Sequence, residues 1–491
     1  MLHLGNVSED VIIHVAFFLD LDDLWTLRQV SRSLTTVSST PVWRIASSRL
    51  SLPIWNPNPT TGSYSSSNIS GLPAFIRDTW RAAQIDRRWS TAKSYLCLCK
   101  EPIQGWSSIR LAGSDQWIIC TNDRGDVAAT KFTQAINQPM REQVIYRSFF
   151  VPVREWSGLV GWFRTLAVLI LQLENNLRRI FDRLNIHFSP LPSSDGSQAL
   201  DGLPQYKLTL PGQITVVAIE VCTSSRVLMI LCKDPDHHSS SFLDVWSWGP
   251  SEEQAYQPPE HTMRTVHFEV RQHIPPVMMI LLGPIQIREG PHVFVARANK
   301  DATYFEFYDL QGHMSHSGQI EPKAQIPVAH ESLPWPCHQI TLPHPRVVPP
   351  TGNLDYDNPI SVVLCAARSP RLSELLGYRV CLHRDRELVS LSFLGGYILP
   401  EYHDVFRCVV GPLGVRGAVL VSDPRANPRS QLMILTLDGN EYKQLNTGCL
   451  VSELLLPMDL SIDELHGTVT VLDGTQNLHV FLFDRYLALG K

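Results

Sequence analysis

The residues of this chain that could do chemistry are few and scattered. His237-His238 follow Asp234-Pro-Asp236 in a polar stretch, and Cys337-His338 precede His344 among prolines. Either group could begin a metal site, but neither has the remaining ligands at a metal-binding spacing. Ten cysteines include no Cys-x-x-Cys pair; the nearest two are Cys97 and Cys99. Most lie in apolar runs such as Val221-Cys222 and Leu231-Cys232, the setting of reduced cysteines packed as small hydrophobes. Asp20, Asp22 and Asp23 resemble paired carboxylates, yet they stand where a helix begins and are explained as caps. Gly411-Pro-Leu-Gly414-Val-Arg-Gly417 has the wrong glycine spacing for a phosphate cradle and reads as a turn entering a strand. The chain lacks a G-x-x-x-x-G-K-S/T loop, a G-x-G-x-x-G fingerprint and a G-x-S-x-G elbow. No cofactor is expected, no catalytic residue is assigned, and the chain reads as a non-enzyme.

The elements that must position any site are bounded by composition. The chain has 491 residues, 44% hydrophobic and 18% charged, with 35 prolines and 28 glycines. At roughly 150 residues per domain that length suggests two or three domains. A net charge of −5 excludes a strong overall basic footprint, so no nucleic-acid partner is expected. Arg87-Arg88-Trp89 reads as a helix end packing its tryptophan. No basic region precedes a long apolar core at the amino end, so a secretion signal is not expected and the chain is placed in cytoplasm or nucleus. Asn6-Val-Ser8 and Asn68-Ile-Ser70 match the glycosylation pattern only. Residues 158–173 form an apolar run of roughly 16 residues interrupted by Arg164, short of the ~20 that a membrane span needs. Leu166, Ile170, Leu173, Leu177, Ile180/Phe181 and Leu184 recur at three-and-four spacing, which predicts an amphipathic helix.

Residues 1–50 are helical in pattern. Ser8 is placed to cap a first helix whose body is Val11 to Leu19. Asp22 is placed to cap a second with Leu24, Leu27 and Val30. Thr40-Pro41 opens a third with Val42, Trp43, Ile45 and Leu50. Residues 51–93 read as a Pro/Ser/Gly linker and one short helix over 74–90. From 94 to 491 the pattern turns to short apolar runs between turn residues. Ser107–Leu111, Gln116–Thr121 and Val127–Phe132 form one set, with Asp123-Arg-Gly125 in a turn. Similar sets occupy 214–248, 264–309, 359–394, 406–446 and 449–483. Three or four strands per set of about 40 residues predict an irregular β-propeller of six to eight blades, each blade pairing its own strands. A helical insertion is expected near 155–204. The fold class is therefore mostly β with a small amino-terminal α unit.

The first helix is apolar on nearly every side, with His14 its lone polar residue between Val11 and Leu19. Such a helix must be covered all round. Two short neighbours cover one side, so the unit packs on the propeller or on another chain; the linker favours another chain.

Residues 4–49 resemble an F-box. The family pattern of Leu-Pro, a hydrophobic helix, Leu-Asp, Asp-Leu, Arg-x-Val-Ser/Cys-Arg and a terminal Trp falls on Val7-Ser8, Val11 to Phe18, Leu19-Asp20, Asp23-Leu24, Arg28-Gln-Val30-Ser31-Arg32 and Trp43. Val7-Ser8 departs from the usual Leu-Pro. The rest is similar to fungal F-box proteins with a carboxy-terminal propeller, through Leu111 to Ile119 and Asp-Arg-Gly125. The resemblance implies docking on a Skp-type adaptor and through it on a cullin and a RING subunit, with the propeller holding an unknown protein substrate. The adaptor-binding residues it implies are Val11, Ile12, Val15, Leu19, Leu24, Leu27, Val30 and Trp43. Burying seven or eight apolar side chains of this kind would give a gross of about 10–24 kcal/mol. Several of the eight can equally be internal core, and the sequence does not divide the two faces. Two alternatives stand beside this reading: an adaptor-bound scaffold outside ubiquitylation, and a propeller hydrolase with a degenerate helical unit.

Overall fold

The computed structural model describes residues 8–30, 40–47, 50, 72–94 and, between 96 and 484, the strands named below with some of their connections. Among the described residues there are four helices and twenty-six strands, so the chain is mostly β, built as antiparallel sheets with a helical amino end.

The helices are α1 (Glu9–Ala16), α2 (Leu21–Val30), α3 (Thr40–Ser47) and α4 (Leu72–Ser90). Ser8 stands at the start of α1, but its side chain accepts no capping bond. The cap of α2 is Asp20, not Asp22: its Oδ1 accepts the Asp23 N–H at 2.8 Å. Three aspartates in four positions compete for the role, and the one just before the first helical residue reaches the free N–H groups. Asp22, inside the first turn, is turned to α4 instead. The helix expected as short is the longest, 19 residues.

Five sheets have four strands. β2 (Trp106–Ala112), β3 (Trp117–Asn122), β4 (Val127–Lys131) and β5 (Gln143–Tyr146) form the first after β1 (Leu96–Lys100). A six-stranded sheet runs from β6 (Ala167–Asn175) through β7 (Phe181–Pro190), β8 (Gln205–Cys222), β9 (Val227–Lys233) and β10 (Ser241–Ser247) to β11 (Thr262–His267). Then come β12 (Met278–Ile287), β13 (Gly290–Ala298), β14 (Thr303–Asp309) and β15 (Ala329–Leu333); β16 (Cys337–Thr341), β17 (Ser361–Arg368), β18 (Ser373–His383) and β19 (Leu388–Ile398); and β20 (Asp404–Val410), β21 (Arg416–Ser422), β22 (Arg429–Thr436) and β23 (Asn446–Leu455). In each, consecutive strands pair. The last sheet differs. β24 (Pro457–Asp463), β25 (Thr468–Asp473) and β26 (Leu478–Leu482) take their fourth strand from the far end of the chain: β1 pairs β26, Leu96 opposite Leu482 and Lys100 opposite Leu478.

Two expectations are corrected here. Residues 167–175 and 181–190 are strands, not a helical insertion, with Leu169 opposite Phe188 and Leu171 opposite Ile186. A buried apolar run carries the same letters in a helix or a strand. Here the β-branched Val168 and Ile170 sit in a ladder that β7 extends to β8. The remaining 155–166 and 191–204 lie outside the described residues. The expected sets were also misphased: 264–309 joins β11 to the next sheet, and 359–394 omits β16.

The sheets pack face to face. Ala418 and Leu420 of β21 point into one buried cluster with Leu460, Val469, Val471 and Phe481; Val419 and Val421 point into another with Leu364, Leu375, Val405 and Met433. Strand period two thus sends alternate side chains into two cores, which is why β21 reads as continuous apolar sequence. First strands also touch across sheets. Gln339 Nε2 donates to the Val405 and Phe406 carbonyls at 3.2 and 2.8 Å, joining β16 to β20. Arg407 meets Asp459 at 3.2 Å, joining β20 to β24. Asp459 Oδ2 accepts the Ile109 N–H at 3.0 Å, joining β24 to β2.

Candidate functional site

The expected site residues lie on α1, α2 and α3, and their positions divide them. Leu24 and Trp43 are fully buried in a core with Ala16, Val42, Ala46 and, from α4, Phe75 and Ile76. They hold the unit together and present nothing outward. Ile12, Leu19 and Leu27 are half-buried against that core. Val11 and Val15 point outward, each 50% exposed. The side chain of Val30 lies outside the described residues.

The outward pair has a third member that the sequence reading passed over. Phe18 is 75% exposed, three residues past Val15, and the Phe18 N–H still donates to the Val15 carbonyl at 3.0 Å. Spacings of four and three place Val11, Val15 and Phe18 on one face. The His14 ring meets Phe18 edge-on at 5.4 Å. Ile45 of α3 is also exposed, at 43%. An all-round apolar helix was the signal: with Ala16 turned inward, some residues had to face out. Covering the exposed half of these four side chains contributes about 3–6 kcal/mol at ~1.5–3 kcal/mol for a whole one. Association costs roughly 4–15 kcal/mol. The face can anchor a partner, but polar contacts around it must supply the rest.

The unit does not hang on a free linker. α4 joins it to the sheets. On one side Asp22 accepts bonds from Gln84 and Arg87, the latter at 2.5 Å, and Trp25 stacks on Trp80 at 4.8 Å. On the other, Trp89 Nε1 donates to the Leu435 carbonyl at 2.9 Å, and the Trp89 ring lies 4.7 Å from that of Phe483. Arg416, almost wholly buried, pairs with Asp86 and lies over the Trp89 ring at 5.2 Å. Burial pushes its guanidinium down to about 10, with Glu464 acting in the opposite direction. Arg81 pairs with buried Asp484. Gly467 makes the approach possible: its φ is +60°, and a Cβ there would meet Ile85 at 2.6 Å.

Of the residues weighed for metal chemistry, Cys337 and His338 are described: His338 lies 3.5 Å from Asp404, while His237, His238 and His344 lie outside the described residues. Among the described residues no three His, Cys, Asp or Glu side chains are grouped to hold a metal ion. Cys120, Cys337, Cys365 and Cys408 are buried, and Cys97 is exposed. No described helix is long and apolar enough to cross a membrane.

No family model matches the chain, and no curated protein matches it either. Among solved structures, it is similar to the chain in a crystal structure of Saccharomyces cerevisiae Sqt1. The identity is 8% and the TM-score 0.42, covering 79% of this chain and 98% of that one.

Proposed function

We propose that the chain is the substrate-recognition subunit of an SCF-type cullin-RING ubiquitin ligase. Its amino-terminal helices dock on a Skp-type adaptor, and the sheets form a β-propeller that holds a protein substrate. The chain itself does no chemistry; it raises the local concentration of a substrate lysine near an enzyme carried elsewhere in the complex. The observation that carries the reading is the outward stripe of Val11, Val15 and Phe18 on a helical unit whose inner face is closed by its own core and by α4. The F-box-like order of residues 4–49 gives that stripe its partner. The four-stranded meanders, the face-to-face packing and the β1–β26 pairing support the propeller.

The test is co-purification with a Skp-type adaptor. Leu24→Asp is unsuitable, because a charge in the closed core would unfold the unit. Val15→Asp with Phe18→Asp changes only exposed positions. The unaltered chain is expected to retain the adaptor, and the double variant to lose it with unchanged circular dichroism. Equal retention by both would overturn the docking face.

A further inference from the structure

Two thiols stand together where β16 begins. Cys337 is the first residue of β16 and Cys365 lies in β17, and neither is bridged. Cys337 faces Ala367 in the ladder, and Cys365 stands two positions along β17 on the same side, opposite Ile340. Between them the register slips: His338 is the extra residue, so the ladder is already broken beside Cys337. The two side chains meet, the Cys365 thiol donating a hydrogen bond to the Cys337 sulfur. A third cysteine, Cys408 of β20, is engaged elsewhere: its sulfur lies 2.7 Å from Thr341 Oγ1 and 3.5 Å from Gln339 Oε1.

The pair is not symmetric. Cys337 keeps 3% of its surface exposed, next to exposed Pro334 and Trp335, whereas Cys365 is sealed. The bond from Cys365 holds the Cys337 thiol below its ordinary value, with burial opposing it and Thr303 aiding it. That same bond, with burial, pushes Cys365 well up. Cys337 is therefore the nucleophile of the pair and Cys365 the thiol that follows. Burial pushes Cys408 up to about 11, which keeps it a thiol. Diagonal neighbours on paired strands stand about 7–8 Å apart, and a disulfide usually spans about 4.4–6.8 Å between Cα atoms. Bridging therefore draws the start of β16 along β17. At that start the Cys337 N–H donates to Thr303 Oγ1, which in turn donates to the Trp335 carbonyl, both at 3.0 Å.

We infer that Cys337 and Cys365 are a thiol–disulfide switch, closed by a hydroperoxide and opened by a small thiol, that shifts the connection 334–336 against Thr303. In the first step the Cys337 thiolate attacks a peroxide oxygen. The S–O bond forms as the O–O bond breaks, and the leaving alkoxide or hydroxide takes up the proton that the thiol gave up. Cys365 then attacks the sulfenic sulfur. The S–S bond forms, the S–O bond breaks, and hydroxide leaves with the Cys365 proton as water. Two thiols lose two electrons and two protons, and the hydroperoxide is reduced to an alcohol and water, or hydrogen peroxide to two waters. The inference does not depend on adaptor docking.

Peptide mapping of the full chain tests it. Trypsin leaves the two cysteines on separate peptides, 324–346 and 347–368. The chain is treated with hydrogen peroxide, its remaining thiols are alkylated, and the digest is read by mass spectrometry. The two peptides are expected to be joined, and dithiothreitol to part them. Cys365→Ala should leave Cys337 as a sulfenic acid that dimedone traps, Cys337→Ala should leave Cys365 a thiol, and Cys408→Ala should still form the bridge. Amide hydrogen exchange over 333–337 should rise in the bridged chain and return on reduction. Recovery of both cysteines as thiols at a dose that oxidises exposed Cys97, or a bridge from Cys337 to any other cysteine, would overturn the assignment. That arm uses the unaltered chain, so a variant that fails to fold leaves its result standing. Unchanged exchange in a bridged chain would overturn the shift of the connection.

Discussion

Two side-chain pairs near the carboxy end give the fold opposite responses to pH. His466 Nδ1 lies 2.7 Å from Asp463 Oδ2. Burial alone would push the imidazole down, but Asp463 outweighs it and raises the value above the ordinary one. Arg81 and Asp484, which face the same group, act in opposite directions on it. A raised histidine stabilises fully below its unfolded value of about 6.5, and that contribution is lost as pH rises through the folded value. Asp473 behaves the other way. Burial would raise it, but bonds from Thr475, His479 and Asn477 outweigh that and hold it low. Its contribution is present above the unfolded value of about 3.9 and lost as pH falls through the folded one. Thermal melts from pH 6 to pH 8 should therefore show a falling midpoint, and His466→Asn should flatten that slope. An unchanged slope would mean that His466 titrates alike in both states. The Asp473-Gly474 turn was visible in the sequence; the His466–Asp463 pair was not, because an i, i+3 spacing in a connection carries no signature.

At the scale of elements, α4 decides how the helical unit meets the sheets. One end stacks Trp80 on Trp25, and the other buries Ile85 and Trp89 among Leu432, Ile434 and Phe481. Its tie to Arg416 is the costliest to break, because the arginine is nearly sealed from water. Asp86→Ala removes one carboxylate from that charge, while the Glu464 carbonyl still accepts one guanidinium bond at 2.9 Å and the charge of Glu464 still favours the cation. The loss should be about 3 kcal/mol, at the low end of the range for breaking a buried ion pair, measured by urea denaturation. A loss below about 0.5 kcal/mol, the size expected of a surface pair, would show that water reaches the site. The sequence located a helix over 74–90 and marked Trp89 as packed. It did not show what the helix packs on: residues 51–71 read as a loose linker, and the contacts of α4 with the sheets fall on residues more than three hundred positions away. The strand identity of 167–175 stayed hidden because only its ladder with 181–190 separates strand from helix. The division of the eight candidate residues stayed hidden because Leu24 and Trp43 turn inward only where α4 supplies Phe75 and Ile76.

For the whole molecule, local pattern was legible and long-range pairing was not. The set 449–483 was recognised as strands, and β24, β25 and β26 fall inside it. That β1 completes their sheet has no local signal, since nothing in Leu96-Cys-Leu-Cys-Lys100 names a partner at Leu478 to Leu482. Leu98 sits opposite Val480 in this ladder. Leu98→Pro should break it while leaving α4 in place, exposing the edge of β26. Concentration-dependent association in analytical ultracentrifugation, with a lowered melting midpoint, is the expected result, because an unpaired strand edge recruits other chains. A monomer that melts as before would show that the pairing adds nothing to the fold.

That pairing also sets a clock on biosynthesis. β1 (Leu96–Lys100) leaves the ribosome long before β26 (Leu478–Leu482). At ~5–20 residues per second the interval between them is on the order of 20–80 seconds. Hydrophobic collapse and hairpin formation finish in microseconds. Each intermediate sheet can therefore fold as it emerges, while β1 waits as an edge without a mate. A nascent chain that stalls anywhere before residue 478 carries that open edge for as long as it stalls.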